Sequence, residues 1–303
     1  MALGTNSIAN AFCAAKDQIA RDFNRLAKSV DGQFRTPLLA VTNELVAQDR
    51  LIAKNFVGAP SHFKPHASAD AWRSGPRRWW FFDAIDNFRD VGGLMTHDGR
   101  SVRYGVLFRS GTPQCATDED VVRLLARGIG KILDLRSERE AKTPGNWPGE
   151  SVTITLSGNP DRVNALHKDK ANVPRRDLPS IYRSMPAHSG DALVAALREM
   201  LDTDGATLAH CLNGRDRTAF FIAVPLDAIG VKRSAIMDDY LMSDFRTGTC
   251  EDLGRKPVRP PEREAMQAMF DALDEYGGAA EYLRAHGFTD SELAAMSDRL
   301  LTR

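Results

Sequence analysis

A nine-residue segment, His210–Thr218, contains side chains that can carry out nucleophilic chemistry on a bound anion. Its Cys211 and Arg217 are separated by five residues. The apolar run 206–209 predicts a strand before the segment, and the apolar run 219–224 predicts a buried helix after it. A strand, a tight loop and a helix N-terminus in this order form an anion site, because backbone N–H groups and the helix dipole converge on one point. This loop segment therefore predicts a cysteine held beneath a bound phosphate.

The residue types in the loop segment fit phosphoryl transfer to sulfur. Cysteine attacks as the thiolate, and a free thiol ionises only at a pH of about 8.5. Loop N–H groups, the helix N-terminus and the Arg217 guanidinium would each favour the thiolate of Cys211. The planar fork of Arg217 can also hold two phosphate oxygens during in-line transfer, and Gly214 lets the backbone close around them. The predicted phosphate-binding residues are Leu212, Asn213, Gly214, Arg215, Asp216 and Arg217.

Loss of the leaving alcohol requires a proton donor, for which the sequence offers two aspartates. Asp216 lies between Arg215 and Arg217, which favour its charged form and a purely ion-pairing role. A carboxylate in the loop can nevertheless reach the leaving oxygen, and bound phosphate adds negative charge. Asp134 lies in the mainly apolar run Lys131–Arg136 and is expected near the carboxyl end of a parallel strand, where open α/β sheets bind ligands. It could equally be a buried carboxylate that binds loop N–H groups, so both remain candidates, with Asp216 favoured.

His210 and Thr218, at the two ends of the loop segment, are predicted to support it. We interpret His210 as a hydrogen-bonding residue that braces the loop and not as a base. Cys-x5-Arg alone occurs by chance in many proteins, but the added His, Gly and Thr and the flanking elements make coincidence a weak explanation. Three alternatives remain: Cys211 as an inert buried thiol, a rhodanese-like sulfurtransferase, and a phosphate-binding pseudophosphatase. Sulfurtransferases usually have a shorter Cys-to-Arg spacing, and pseudophosphatases normally lack the Cys or the Arg.

Further motifs follow in order along the chain: Asn87–Gly93, Leu107–Gly111, Ile132–Ser137, Ala235–Leu241 and Glu281–Leu283. Together with the loop segment they resemble the atypical bacterial and fungal tyrosine-phosphatase-like family, some members of which act on phosphoinositides. The resemblance spans about residues 80–303. It implies a cysteinyl-phosphate mechanism with Cys211 as nucleophile and Arg217 as phosphate clamp. Asp216 matches the loop aspartate proposed as general acid in this family and in the similar myotubularin loop.

Two departures from the family pattern bear on substrate preference. Arg215 stands where lysine is usual, which keeps the charge but changes its shape. Ala219 replaces the usual glycine after Thr218, and Pro225 lies in the following helix, where it removes a backbone hydrogen bond and predicts a kink. Neither change affects the nucleophile or the clamp.

The composition argues against several classes of protein. Of 303 residues, 40 are basic and 40 are acidic, so nothing indicates a nucleic-acid or membrane-surface partner. No apolar run reaches membrane-spanning length, and no signal peptide is recognisable. The wide spacing of the four cysteines, at 13, 115, 211 and 250, argues against metal or redox pairing and favours a reducing compartment. We expect no metal, no cofactor and a cytoplasmic location, with an exported effector as the alternative.

The alternation of strands and helices predicts an α/β fold, with a phosphatase-type central, mainly parallel sheet flanked by helices and an N-terminal helical extension. Residues 1–58 are predicted to form a helical hairpin packed on the catalytic domain, or a dimerisation surface or active-site cap. Residues 59–78 are predicted to form a Pro/Gly-containing linker, and 79–303 the phosphatase domain.

The predicted strands of this domain are Val106–Phe108, Lys131–Leu135, Val152–Leu156 and Ala206–His210. The predicted helices are Glu119–Arg127, Asp191–Leu201, Thr218–Ile229 and Ser234–Leu241. A last helix is predicted from a capping box formed by Thr289 and Glu292.

The sequence leaves the substrate open among a phosphotyrosine protein, a phosphoinositide and a small phosphorylated metabolite. The choice depends on the depth of the cleft. Two polar stretches, 138–180 and 243–262, are long enough to form lids or substrate walls, and the second is rich in arginine. The oligomeric state is also left open.

Overall fold

A computed structural model of the chain describes residues 78, 82, 84–141, 150–156, 177–244 and 260–303. Its contacts define two compact units. The larger comprises Ala67–Asp120 and Gly128–Arg303, and the smaller comprises Met1–His66 and Val121–Arg127. The predicted hairpin 1–58 and, apart from Arg78, the predicted linker 59–78 lie outside the described residues. The domain boundaries therefore stay predictions.

The larger unit contains a five-stranded sheet of order β1-β2-β5-β3-β4. Its strands are β1 (Arg89–Asp90), β2 (Leu107–Ser110), β3 (Ile129–Asp134), β4 (Glu150–Thr153) and β5 (Ala206–His210). Only β1 is antiparallel to its neighbour; β2, β5, β3 and β4 run parallel. The predicted α/β fold with a mainly parallel sheet is thus confirmed. The parallel strands bring their carboxyl ends to one edge, where Ser110 and Asp134 both pair with His210.

Seven helices are described: α1 (Asp118–Ala126), α2 (Leu178–Leu201), α3 (Asp216–Ala228), α4 (Arg233–Leu241), α5 (Arg263–Asp274), α6 (Ala279–Ala285) and α7 (Asp290–Leu300). A short 3-10 helix, Met242–Asp244, follows α4. The predicted capping box of α7 is present, with Thr289 and Glu292 each hydrogen-bonded to the other's backbone N–H. The elements predicted from the sequence agree with these bounds to within two or three residues, except for α2.

Helix α2 begins thirteen residues before the predicted start at Asp191, so the predicted start is wrong. Asp177 caps it by accepting from Ser180 N at 3.3 Å, although Pro186 lies inside the helix. Pro186 and Gly190 are poor helix formers, which obscures the pattern in the sequence. Tertiary packing compensates: Tyr182 and Met185 are buried, and a Cβ on Gly190 would lie 2.3 Å from the His286 ring. The first half of α2 therefore forms because it is packed against the domain.

The buried hydrophobic core joins α3 to the sheet and to the helices around it. Every residue of α3 from Thr218 to Leu226 is buried. A helix that is apolar on all sides requires cover on all sides, and here it lies at the centre of the domain. This packing therefore fixes the start of α3 close to the carboxyl edge of the sheet.

Two further expectations from the sequence concern the cysteines and membrane-spanning segments. Cys115 is disulfide-bonded, so the expectation of unpaired cysteines is wrong for this residue, whereas Cys211 is a free, buried thiol. Within the described residues, no helix is long and apolar enough to cross a membrane. Of the stretch 138–180, residues 138–141, 150–156 and 177–180 are described, and they include β4 and the start of α2. The remainder of it, and 245–259 of the second stretch, lie outside the described residues.

Candidate active site

The loop segment lies where the sequence predicts it, between a strand and a helix. Strand β5 ends at His210 and helix α3 begins at Asp216, so Cys211–Arg215 form the connecting loop. Cys211 is only 2 % exposed. A buried thiol below the first turn of a helix lies in the positive field of the helix N-terminus.

The carbonyl groups of the loop are held by hydrogen bonds from neighbouring segments. Asn87 Nδ2 donates to the carbonyl oxygens of Asn213 at 3.2 Å and Gly214 at 2.9 Å. Thr112 N donates to Leu212 O at 3.1 Å. These bonds satisfy the loop carbonyls and fix the path of the loop backbone.

Gly214 is required at the sharpest point of the loop. Its φ is +64°, in the left-handed region that favours glycine. A Cβ at this position would lie 2.2 Å from Ser110 O at the end of β2. The loop can therefore approach the sheet this closely only without a side chain.

A buried ion cluster lies behind the loop, centred on the Asp239 carboxylate of α4. Arg78, Arg89 and Arg109 all pair with it, with Arg89 Nε at 3.0 Å and Arg109 Nη1 at 2.6 Å. Burial opposes ionisation of Asp239, but the three guanidinium groups outweigh it and hold its pKa far below its ordinary range. The carboxylate is therefore charged at neutral pH.

The same arginines connect this cluster to the loop. Arg109 Nη2 donates to Gly214 O at 2.9 Å, on the oxygen that Asn87 also binds. Arg89 Nη1 in turn donates to Asn87, both to its carbonyl oxygen at 3.2 Å and to its side-chain oxygen. Asn87 itself has a φ of +58°, which is uncommon for a residue other than glycine. The cluster thus holds Asn87 in the conformation that allows its amide to reach the loop.

Arg217 forms a two-pronged ion pair with Glu140. Its Nη1 lies 2.6 Å from Glu140 Oε2, and its Nη2 lies 2.9 Å from Oε1. Burial opposes the charged guanidinium, but attraction from Cys211 and Glu140 outweighs it and raises the pKa of Arg217. Burial likewise opposes ionisation of Glu140, and Arg217 outweighs it, lowering the pKa of Glu140 to about 2. This end-on pair uses one hydrogen of each Nη group, so Nε and the outer Nη hydrogens remain for phosphate oxygens.

Glu140 is itself held by hydrogen bonds within the turn that contains it. Its Oε2 accepts from Ser137 N at 3.0 Å and from Ser137 Oγ at 2.9 Å. Both ends of the ion pair are therefore positioned before any substrate arrives, which limits the rotamer freedom of Arg217.

Asp216, the first residue of α3, interacts with two neighbours. Its Oδ1 accepts from the Tyr182 hydroxyl at 2.7 Å and from Arg215 Nε at 2.9 Å. Its Oδ2 accepts from Arg215 Nη2 at 3.2 Å. The side chain is 30 % exposed, so it remains accessible at the end of the loop.

Asp134, the other candidate acid, is bound closely by Arg136. It accepts from Arg136 N at 3.0 Å and forms a two-pronged pair in which Nη2 lies 2.7 Å from Oδ2. Burial opposes its ionisation, but the Arg136 hydrogen bonds outweigh it and lower the pKa of Asp134. The residue is thus a buried, charged carboxylate at the carboxyl end of β3.

His210 lies between Asp134 and the loop. Its Nδ1 is 3.2 Å from Cys211 O, and because a carbonyl only accepts, Nδ1 carries the hydrogen. Burial lowers the pKa of His210 to about 4 against the attraction of Asp134, so the ring is neutral near pH 7. Its Nε2 lies 3.8 Å from Asp134 Oδ1, beyond hydrogen-bonding distance. This geometry agrees with a residue that braces the loop.

Thr218 and the neighbouring residues complete the site. Thr218 is fully buried, and its Oγ1 has no hydrogen-bond partner among the described residues. In the same part of the chain, no group of three or more His, Cys, Asp and Glu side chains could hold a metal ion.

The structure therefore brings the sequence-predicted residues together at one edge of the sheet, where Asp134 at the end of β3 lies directly beside His210 at the end of β5. The sequence reasoning did not identify Glu140, Tyr182 or Asp239 as residues of the site. Asp239 lies within a motif that was recognised only as a resemblance. Glu140 follows Ser137 by three residues, which is a turn signal, but its partner is 77 residues away.

Residues 81–302 match the model of a family described as the tyrosine phosphatase family. The chain belongs to this family. It is therefore a protein-tyrosine-phosphatase-like phosphatase, a phosphoric monoester hydrolase, and its substrate is phosphorylated.

Two curated relatives agree with the assignment. A Cupriavidus necator protein that is named as a tyrosine-protein phosphatase is 34 % identical over 194 residues, covering 60 % of this chain and 68 % of its own. The triple specificity protein phosphatase PtpB of Mycobacterium tuberculosis is 29 % identical over 188 residues, covering 52 % of this chain and 66 % of its own. The matches thus span about two thirds of each relative. The crystal structure of P. aeruginosa TpbA aligns with a TM-score of 0.35 and 15 % identity over 60 % of this chain and 89 % of its own, too weak a likeness to add to the argument.

The Glu140–Arg217 pair leads to the first prediction. Glu140→Gln removes the charge that fixes Arg217, so we expect kcat for an aryl phosphate to fall by about 10- to 100-fold with a smaller change in KM. Glu138→Gln, the same substitution in the same turn, is the control and should leave kcat within about twofold. Steady-state kinetics of both variants test this, and a rise in KM at unchanged kcat would contradict it.

The Asp239 cluster leads to the second prediction. Asp239→Asn leaves buried guanidinium groups without their counter-charge, so we expect a loss of about 3–5 kcal/mol in the free energy of unfolding. Asp274→Asn, which removes a solvent-exposed partner of Arg233, should cost about 1 kcal/mol or less. Urea unfolding at pH 7 measures both.

The Asp239 variant also has a predicted pH dependence. Since the folded-state pKa of Asp239 is depressed, its stabilisation is complete above the unfolded value of about 3.9 and is lost as the pH falls toward the folded value. The difference between wild type and Asp239→Asn should therefore be smaller at about pH 3 than at pH 7. An equal difference at both pH values would show that Asp239 does not act through its charge.

Proposed function

We propose that this phosphatase hydrolyses phosphomonoesters through a cysteinyl-phosphate intermediate on Cys211. The observation that carries the proposal is a buried, free thiol at the base of a loop whose carbonyls are bound from outside. Such a loop offers converging N–H groups to a dianion, and Arg217 adds a charged fork beside the thiol. The intact Cys211 and Arg217 also favour a catalyst over a pseudophosphatase, and the family favours phosphate over sulfur transfer.

In the first step, the Cys211 thiolate attacks phosphorus and the bond from phosphorus to the leaving oxygen breaks. The three equatorial oxygens bind the loop N–H groups and the free edge of Arg217, which stabilise the transition state. The leaving oxygen takes a proton from Asp216. The products of this step are the free alcohol and phosphate bound to sulfur.

In the second step, a water molecule attacks phosphorus and transfers a proton to Asp216, and the sulfur–phosphorus bond breaks. The electron pair returns to Cys211 as a thiolate. Thr218 has a buried hydroxyl with no partner among the described residues, and we assign it the role of hydrogen-bonding the thiolate as it leaves.

Asp216 is the better candidate for the acid because of its surroundings. It is partly exposed at the loop, whereas Asp134 is buried and bound by both the backbone and the side chain of Arg136. Asp216 also forms a two-pronged pair, with Arg215, but its exposed face leaves room for a leaving oxygen, whereas Asp134 accepts a further bond from Arg136 N and is enclosed.

For the substrate, we propose a phosphotyrosine protein first, since the Cupriavidus necator relative is named as a tyrosine-protein phosphatase. A phosphoinositide and a small phosphorylated metabolite are the alternatives, and PtpB, named as triple specific, shows that one relative accepts more than one class. Phosphate release from phosphotyrosine peptides, phosphoinositide vesicles, nucleotides and sugar phosphates separates them.

The nucleophile gives the third prediction. Cys211→Ser should lower kcat on an aryl phosphate by about 10³-fold or more, because serine lacks a comparable anionic nucleophile at neutral pH. The variant should still unfold at the wild-type temperature and bind inorganic phosphate. Activity of the wild type should be insensitive to a metal chelator. Substantial turnover by Cys211→Ser would rule out the cysteinyl-phosphate mechanism.

The two acids give the fourth prediction. Asp216→Asn should slow substrates with poor leaving groups by about 10²-fold or more and activated aryl esters far less, since a general acid matters most when the leaving oxygen needs its proton. Asp134→Asn should instead reduce stability and act equally on all leaving groups. Kinetics on a series of phenols and alcohols test this, and the reverse pattern would transfer the acid role to Asp134.

A further inference from the structure

Tyr182 extends from helix α2 to the candidate general acid. Its side chain is fully buried, and its hydroxyl donates to Asp216 Oδ1 at 2.7 Å. Burial and the charge of Asp216 raise the pKa of Tyr182 well above its usual value, so the hydroxyl keeps its proton. Tyr182 is therefore a permanent hydrogen-bond donor to one oxygen of Asp216.

Tyr240 on α4 supports Tyr182 from behind. The two rings meet edge to face with centroids 5.7 Å apart. Tyr240 Oη accepts from Glu262 N at 3.2 Å. The Tyr240 ring, held through this bond, packs against Tyr182 and limits the positions that the Tyr182 ring can take.

The two oxygens of Asp216 are held unequally. Oδ1 receives Tyr182 at 2.7 Å and Arg215 Nε at 2.9 Å, whereas Oδ2 receives, among the described residues, only Arg215 Nη2 at 3.2 Å. A proton binds more readily to the oxygen with fewer and longer hydrogen bonds, because the other oxygen's lone pairs already accept from donors. This geometry favours Oδ2 as the oxygen that carries the proton.

We propose that Tyr182 is a positioning residue that orients Asp216 so that Oδ2 transfers the proton in both steps of hydrolysis. In the first step the sulfur–phosphorus bond forms, the bond to the leaving oxygen breaks and the Oδ2 proton moves to that oxygen. In the second, water attacks phosphorus, the sulfur–phosphorus bond breaks and the water proton moves to Oδ2. The inference rests on the proposed role of Asp216 as general acid.

Removal of the Tyr182 hydroxyl tests the proposal. Tyr182→Phe, Asp216→Asn and the double variant are assayed for kcat on aryl and alkyl phosphates that span a range of leaving-group pKa values. We expect Tyr182→Phe to slow poor leaving groups by about tenfold and activated aryl esters by less than about twofold. In the Asp216→Asn background the same substitution should have no further effect.

Tyr282→Phe is the matched control. The Tyr282 hydroxyl is also buried and donates to a carbonyl on α2, Pro186 O at 2.8 Å, but it does not contact Asp216. Its removal costs a comparable buried hydrogen bond, so a thermal unfolding shift similar to that of Tyr182→Phe is expected without leaving-group dependence. If Tyr182→Phe does not fold, Tyr240→Leu replaces it: this change removes the ring that packs against Tyr182, so we expect the same selectivity and a smaller effect.

The outcomes separate the inference from the proposed function. Suppose first that Asp216→Asn slows mainly the substrates with poor leaving groups. If Tyr182→Phe then slows all substrates equally, or has the same effect with and without the Asp216 carboxylate, the positioning role is wrong and the acid role stands. If Asp216→Asn itself shows no selectivity, the acid role is wrong and the inference falls with it. Loss of activity in Cys211→Ser tests the nucleophile independently of both.

Discussion

The Asp239 carboxylate is the interaction on which the active-site loop depends. It is buried and pairs with three arginines from separate parts of the chain, and two of these reach the loop directly or through Asn87. A buried ion cluster is costly to form unless its geometry is complete, because the charges lose their hydration. The ion pairs hold the arginines in place, and Arg109 in turn binds the Gly214 carbonyl behind the loop. The conformation of the loop therefore depends on ion pairing at its back.

Each arginine of the loop segment is already paired before substrate binds. Arg217 is held end-on by Glu140, and Arg215 is held side-on by Asp216. Such pairing keeps both guanidinium groups in fixed positions and reduces the entropy lost when phosphate binds. Because an arginine has five N–H groups, an end-on pair leaves a second edge free, so Arg217 can bind Glu140 and phosphate at the same time. Lysine could not do this, since its charge is a single point on a flexible stem.

Two aspartates of the same chemical type acquire different properties from their surroundings. Asp134 is enclosed by Arg136 at the end of a central strand, and its bonds stabilise the charged form. Asp216 lies at the start of α3, partly exposed, with one oxygen held more firmly than the other. The difference arises from where strands and helices end, because a strand end inside the sheet is enclosed on both sides and a helix start at a loop is open on one.

The sequence by itself determined the mainly parallel sheet and the position of the Cys211–Arg217 loop between a strand and a helix, because these depend on local signals: Cys-x5-Arg spacing, glycine at a turn, and apolar runs of strand or helix length. Only the tertiary structure decided the partners of those residues. Glu140 meets Arg217 across 77 positions, and Tyr182 meets Asp216 across 34, on a half of α2 that local propensity does not predict. Pairing of this kind leaves no periodic trace in the sequence, since it arises when separate elements pack together and bury their polar groups against one another.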